Sequence, residues 1–472
     1  MTATSAIESA ISSLSAFVFF AIPVGGVEIQ LIVLWLAVAM VFSTFWLGVP
    51  QWRGFREAWH IVRGRYHDET APGEVSQFAA LATALSGTVG LGNIAGVAVA
   101  VSTGGPGAVF WMFVIGVFAM ALKCAEVTLG LMYRDVLQEG GVRGGPMVTL
   151  TNGLASIGRP KLGKSLGKFY AFFLLGGSLS LFQVNQSFAQ VSAVTGTDNR
   201  VLYGVLFAIA TALVVLGSIR WIAKTTSILV PAMAAIYIGG CLTILLGNIG
   251  NIPSAIATIV SEAFNQNSLF GGILGAFIVG MRRAVYSCEA GVGTAVIAHA
   301  QAKTREPASE GLVALLEPFI DTVIICTLTG LTIIVAGTWN PATNGGLEGV
   351  AITSAAFATV APWFPAVLAL AVFLFAFSTV ISNGFYGAEG FQHLFGRGKV
   401  QELGWKIGFC CILPLGAILD VTTIVDFVDS VYFLMAIPNI IGLYLLAGPL
   451  RTEMRKYLAG QGERTANWRS TL

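Results

Sequence analysis

The chain has 472 residues, of which 55% are hydrophobic and only 11% charged, with a net charge of +2 and a mean hydropathy of +0.79. A soluble domain places charge on about a quarter of its residues, so water is not the main solvent for this chain. The basic residues are spread along the sequence rather than gathered in a patch, which argues against a nucleic-acid partner.

Crossing an apolar layer of roughly 30 Å takes about 20 residues of helix. The long apolar runs lack the period-two alternation of a barrel, so helices are the way to satisfy their backbone in lipid. Residues 1–25 include an apolar stretch, Leu14 to Val24, too short to span and broken by Pro23; it is expected at the interface or as a re-entrant segment. No Lys or Arg precedes Arg53, so this stretch lacks the basic start of a secretory signal and is expected to stay in the mature protein. Spans then follow at 27–49, 74–101, 107–133, 168–195, 200–219, 226–248, 271–299, 311–337, 362–391, 402–422 and 428–450. With the N-terminus outside, 22 of the 26 Lys and Arg fall in cytoplasmic segments; the exceptions are Lys123, Arg200, Arg282 and Arg283. That asymmetry predicts a multi-pass inner-membrane protein with a cytoplasmic C-terminus. The six cysteines, Cys124, Cys241, Cys288, Cys326, Cys410 and Cys411, sit in apolar segments without metal-type spacing and are expected to be packing residues. No linker or low-complexity segment divides the chain, so residues 1–472 are expected to form a single domain.

Two spans are Gly-rich and polar in their middles: Ser86-Gly87-Thr88-Val89-Gly90-Leu91-Gly92-Asn93-Ile94-Ala95-Gly96 in the second, and Ser287-Cys288-Glu289-Ala290-Gly291-Val292-Gly293-Thr294 in the seventh. Interrupted segments at corresponding places in two halves point to a transporter of inverted repeats with its site at the midplane. Freed carbonyls there can bind a cation, and half-helix N-termini can receive a carboxylate. Close small-residue packing is the competing explanation for Gly92 and Gly96.

Ionised groups within spans are expensive and need partners. Lys123 and Glu126, three apart, are expected to pair locally. Glu289, inside the second break with Arg282 and Arg283 upstream and Asp321 in the next span, is expected to clamp the break. Ser378-Thr379 and Ser382-Asn383-Gly384 interrupt an apolar span. Adjacent hydroxyls can ligate a hard cation, or bond back to carbonyls one turn earlier.

The stretches Gly87–Ala98, Gly104–Met112, Lys123-Cys124-Ala125-Glu126, Tyr133-Arg134, Glu289-Ala290-Gly291 with Ile297-Ala298-His299-Ala300, Asp321-Thr322, Tyr386-Gly387 and Leu394-Phe395-Gly396 resemble the alanine or glycine:cation symporter family, of the superfamily sharing the leucine-transporter fold. The resemblance implies an all-α membrane protein whose ten core helices form two inverted five-helix repeats with two broken helices, preceded by one extra span. On this chain that gives an N-terminal region at 1–50, repeats at 74–248 and 271–450, and a cytoplasmic tail at 451–472. It implies sodium near Ser86, Val89, Ser378 and Thr379, and a substrate carboxylate near Thr88, Gly90, Leu91 and Gly92. Ser287, Cys288 and Gly291 of the second break, Gln183 and Asn185, and Ser382 and Asn383 would complete the pocket, while Asn93, Lys123, Glu126, Glu289 and Asp321 would have structural or coupling roles. Asn383 stands where the family commonly has tryptophan, Cys288 where it often has asparagine and Leu91 where it often has threonine, so a larger, more polar substrate such as glutamine joins alanine and glycine.

The expected activity is sodium symport of a neutral amino acid by a monomer that needs no cofactor. Proton coupling through Glu289 is the nearest alternative, and a channel or a non-transporting sensor is more distant. The chain has no zincin motif, nucleophile elbow or histidine pair of an intramembrane enzyme, and His299 is expected to be structural.

Overall fold

The computed structural model describes residues 3–24, 27–66, 68–137, 141–266, 272–340 and 345–460. Besides short helices at Pro50–Arg53, Phe55–Val62 and Pro146–Ser156, the helices in chain order begin with α1 Ala3–Val18 and α2 Leu31–Trp46, then α3 Gln77–Thr88, α4 Val97–Gly104 and α5 Gly107–Met132. Next come α6 Pro160–Gly177, α7 Leu181–Thr195, α8 Arg200–Val215, α9 Ile219–Gly247 and α10 Ile252–Ala263. The second half holds α11 Gly272–Cys288, α12 Ala295–His299, α13 Pro307–Val335, α14 Val350–Ala358, α15 Pro365–Phe395, α16 Lys399–Ile418, α17 Val421–Leu445 and α18 Ala447–Ala459.

Among the described residues six stretches are long and apolar enough to cross a membrane: α5, α6 with α7, α9, α13, α15 and α17. The pair α3–α4, bent by 51°, makes a seventh. The other four predicted spans are α2 and α8, of 16 residues each, α16, of 20, and α11 continued through a break into α12. Residue 271 and residues 461–472, at the edges of a predicted span and of the predicted tail, lie outside the described residues. Phe172, Leu213, Ile228 and Leu370 are exposed along these helices, a surface that suits lipid rather than water. Four spans lie between the two broken ones, an offset of five, and five is odd, so corresponding helices run in opposite directions.

Local chemistry sets the ends of several helices. The Ser76 hydroxyl accepts from the Ala79 amide at the start of α3, and Asp420 accepts from the Thr422 and Thr423 amides at the start of α17. α3 lies against α9 and α15, while α5 packs on α11 and α13. One buried apolar cluster runs through both halves.

Three features differ from the sequence reading. The stretch around Leu14–Val24 is the end of α1 followed by a hairpin, β1 Ala21–Val24 with β2 Val27–Gln30, where Pro23 is tolerated on a two-stranded edge. The connections between predicted spans near 249–270 and 338–361, external if the N-terminus is outside, carry the helices α10 and α14. The span 168–195 is interrupted at Ser178–Ser180, where Ser180 adopts φ 56°, an uncommon conformation for a residue with a side chain. Gly176-Gly177 stand directly before it, but the apolar periodicity runs straight through, so the pair reads as part of one span.

Candidate functional site

The first break spans the end of α3 and the start of α4. α3 stops at Thr88, and Val89 to Leu91 leave the helix before a π-helical turn, Gly92–Gly96, restores it. Asn93 on this turn accepts from the Gly90 amide at 2.9 Å, so its carboxamide holds the unwound segment from inside. A side chain on Gly90 would meet the Thr379 hydroxyl, and one on Gly92 would meet the Tyr286 ring and the Ser287 backbone. The two breaks therefore touch at Gly92 because no Cβ stands between them.

The second break follows Cys288. Glu289 has φ +52°, Gly291 +91° and Gly293 +86°, so the last two need glycine while Glu289 is held in a strained form. Its carboxylate accepts from the Thr294 hydroxyl across the break and from Tyr432 of α17 at 2.9 Å. Asn439 of α17 donates to the Gly291 carbonyl at 2.8 Å and to Glu126 at 2.5 Å. Every one of these side chains except the half-buried Asn439 is buried.

Asp321 joins the two breaks. It accepts from Asn93 of the first, from Ser287 of the second at 2.8 Å, and from its neighbour Thr322 at 2.7 Å. Asp321 lies on a π-helical turn of its own, Phe319–Cys326. Widened turns of this kind redirect side chains and recur at functional sites.

Around the first break four hydroxyls approach the cation position implied by the sequence, and they differ. Ser86 donates to the Ser378 carbonyl at 2.7 Å, and Ser378 donates back to Phe375 at 3.0 Å, with the Ser86 carbonyl 3.5 Å away. Thr88 turns back onto the Ala84 carbonyl at 3.3 Å. The Thr379 hydroxyl has no hydrogen-bond partner among the described residues, although Thr379 is 1% exposed. A buried hydroxyl left unpaired costs about 1–3 kcal/mol, and this one points at Gly90.

With this geometry in hand the comparisons are specific. The chain matches the model of the sodium:alanine symporter family over residues 18–469. It belongs to that family. The sodium/alanine symporter AgcS of Methanococcus maripaludis is 40% identical over 421 residues, 88% of this chain and 92% of that protein. The probable sodium/glutamine symporter GlnT of Bacillus subtilis is 31% identical over 432 residues, 90% of this chain and 87% of that one. Among solved structures, MhsT in complex with L-phenylalanine superposes with a TM-score of 0.54 at 15% identity, covering 81% of this chain and 98% of that one. The fold is the leucine-transporter fold.

In this sodium:alanine symporter family member the remaining site residues land as follows. Gln183 is buried on α7, beside Phe182. Asn185 donates to the carbonyls of Gly416 and Leu419 on and after α16, at 3.0 and 2.9 Å, tying two helices together. Ser382 donates to the Thr83 carbonyl at 2.9 Å, and Asn383 donates to Ser180 at 2.9 Å, in the interruption between α6 and α7. Cys288 is buried at the end of α11. Of the six cysteines, four are buried, Cys410 is half-buried and Cys411 exposed.

One charge pairing differs from the sequence reading and another was not foreseen. Lys123 pairs with Glu317 of α13 at 3.1 Å rather than with Glu126, since the buried neighbour across the interface is nearer to its ammonium. Arg282 and Arg283, for which the sequence offered no partner, both reach Asp429 of α17. Sequence reasoning also missed a buried chain in which His299 meets Glu310 at 2.6 Å and Glu317 at 3.4 Å, and Gln77 donates to Glu310 at 2.9 Å. The signal was present as acids at 310 and 317 around an apolar run.

A cavity of about 910 Å³ opens on the face poor in Lys and Arg, lined by Val99, Phe182, Gln186, Gln190, Glu348 and Ser354 among others. At its floor Phe182 meets Tyr286 edge-on, with centroids 5.5 Å apart, and Tyr286 stacks on Tyr432 at 5.7 Å. Tyr286 is the same ring that covers Gly92, so aromatic side chains separate the cavity from the breaks.

Proposed function

We propose that the protein is a secondary active symporter that couples sodium influx to uptake of a small neutral amino acid across the inner membrane, with its N-terminus outside. The observation that carries this reading is the Thr379 hydroxyl, buried, unpaired and aimed at the unwound segment of the first broken helix. A hard cation there would take oxygen from Thr379, from Ser378 and from the carbonyls of Ser86 and Val89. The helical segment that restarts at Gly92 turns the positive end of its dipole toward a carboxylate. Ion and substrate would thus bind either side of the same three residues.

One sodium ion entering with a zwitterion carries one charge inward, and 100 mV then contributes about 2.3 kcal/mol, enough for roughly fifty-fold accumulation. Glu289 supports sodium over proton coupling, because both of its oxygens are engaged in holding the break closed on itself.

Alanine is the substrate suggested by the M. maripaludis relative, and glutamine by that of B. subtilis. Asn383 favours the larger amide as a second reading, since a carboxamide stands where the family commonly has an indole. The test is uptake of labelled alanine and glutamine into proteoliposomes with and without an inward sodium gradient. Sodium-driven uptake of either is expected; if alanine outcompetes glutamine and Asn383→Trp leaves the preference unchanged, the glutamine reading falls. Uptake of both indifferent to sodium overturns the symport proposal.

A further inference from the structure

The segment before the core is not used by the site, yet it touches the elements that bear it. α1 lies along α17, and β2 rests on α11. Between them, Arg282 and Arg283 of α11 share the single carboxylate of Asp429 on α17, with Arg282 at 2.9 Å. α11 leads directly into the second break, and α17 supplies Tyr432 to Glu289. This ion triad is therefore the outer tie between one broken helix and its backing helix.

Phe19, in the turn after α1, covers that tie. The guanidinium of Arg282 sits over its ring, 4.0 Å from the centroid, and the ring meets Phe433 of α17 edge-on at 5.0 Å. Phe19 is 8% exposed, whereas its neighbours Phe17 and Phe20 are 74% and 61% exposed. One ring of the three is thus turned inward onto a charged group, while the other two face out as apolar anchors for the membrane interface. Farther along, Leu36 of α2 is fully buried against Gly291, within the second break itself.

We propose that residues 3–24 and 27–30 form an outer strap, with Phe19 as a positioning residue that seals the Arg282–Asp429–Arg283 tie and so sets how readily α11 swings from α17 to uncover the breaks. A ring over a guanidinium excludes water from it and adds cation–π attraction, both of which strengthen the pairing. Removing the ring lets water reach the carboxylate, and the outer face opens more often.

The native Cys288, buried at the end of α11, reports this opening. The experiment is alkylation of full-length protein in right-side-out membrane vesicles by a membrane-impermeant maleimide added outside, read at Cys288 by peptide mass spectrometry. Phe19→Ala is expected to label about three- to tenfold faster than the unaltered protein, a range set by a partly shielded cation–π contact, and Phe19→Trp to label at the original rate. Arg282→Met should label as fast as Phe19→Ala, and the double variant no faster than Arg282→Met alone. Unchanged labelling of Phe19→Ala, or additive effects in the double variant, overturns the proposal. If Phe19→Ala also exposes the buried Cys241, far along the chain on α9, it has unfolded. Phe19→Leu, apolar but without a ring, then decides: faster Cys288 labelling supports the strap and an unchanged rate refutes it. The readout needs neither sodium nor amino acid, so its failure is separate from failure of the transport reading.

Discussion

Replacing Thr379 by valine tests the cation site with effects of opposite sign. The Thr379 hydroxyl is buried and unpaired among the described residues. In sodium-free protein valine removes that unsatisfied group while keeping the branched shape, and the variant should be about 1 kcal/mol more stable. If the hydroxyl is a sodium ligand, the same change deletes one of a few oxygens and should raise the half-saturating sodium concentration about tenfold or more, equivalent to about 1.4 kcal/mol. Ser378→Ala is the control, because the Ser378 hydroxyl already donates to Phe375 at 3.0 Å; losing that bond should destabilise the sodium-free protein by about 1 kcal/mol. The assays are thermal melting in lipid nanodiscs without sodium and sodium titration of uptake in proteoliposomes. Thr379→Val that melts earlier and keeps its sodium dependence would refute the reasoning.

Lys123→Met should strand Glu317, which is fully buried with it, and cost about 3–5 kcal/mol, most of it recovered by adding Glu317→Gln; melting of the single and double variants checks this, and equal losses in both would show that the pair is not the cause. On the basic-rich face Asp68 is held down to about 2 by hydrogen bonds from Thr70 and by Arg305 at 3.1 Å. A depressed carboxylate contributes above its unfolded value and loses that contribution as pH falls toward the folded one. Protection of the Thr70 amide, which donates to Asp68 at 2.9 Å, should therefore be constant from pH 5 to 8 after correction for intrinsic exchange and vanish between about 4 and 2.

The spans were legible because lipid demands long apolar runs, and the two breaks because glycine and polar residues have no reason to sit together in such runs except to unwind or pack closely. Ser86 to Gly96 reads as an interruption from composition alone, and it is one. The break at Ser178–Ser180 was overlooked although Gly176-Gly177 precede it: its strained residue is a serine held by tertiary contacts, including the bond from Asn383, and the apolar run around it reads as unbroken. Charge partners were misread for a related reason. Spacing along one helix made Lys123 and Glu126 look like a pair, but in a bundle the nearest opposite charge lies on the neighbouring helix, and only the packing of α5 on α13 brings Glu317 there. The conformers of Asn93 and Asp321 depend on π-helical turns that no periodicity marks.

Those two turns explain how a site can be both broken and rigid. Unwinding a helix in a dry interior exposes backbone groups that must find partners or cost several kcal/mol each. Here Asn93 takes the Gly90 amide, Asn439 the Gly291 carbonyl, and Asp321 ties Asn93 to Ser287 across the gap. A low local dielectric strengthens each of these bonds and would penalise any one left unmade. With so many groups matched, the break has little freedom to relax around whatever enters it. Binding at such a place need not reorganise the polypeptide first, because the ordering was done when the staples formed. A cation that satisfies Thr379 would then act on Gly90 and, through Asn93 and Asp321, on Ser287 of the second broken helix. The path is short, fully buried and made of hydrogen bonds, so occupancy at one break is felt at the other without either helix having to refold.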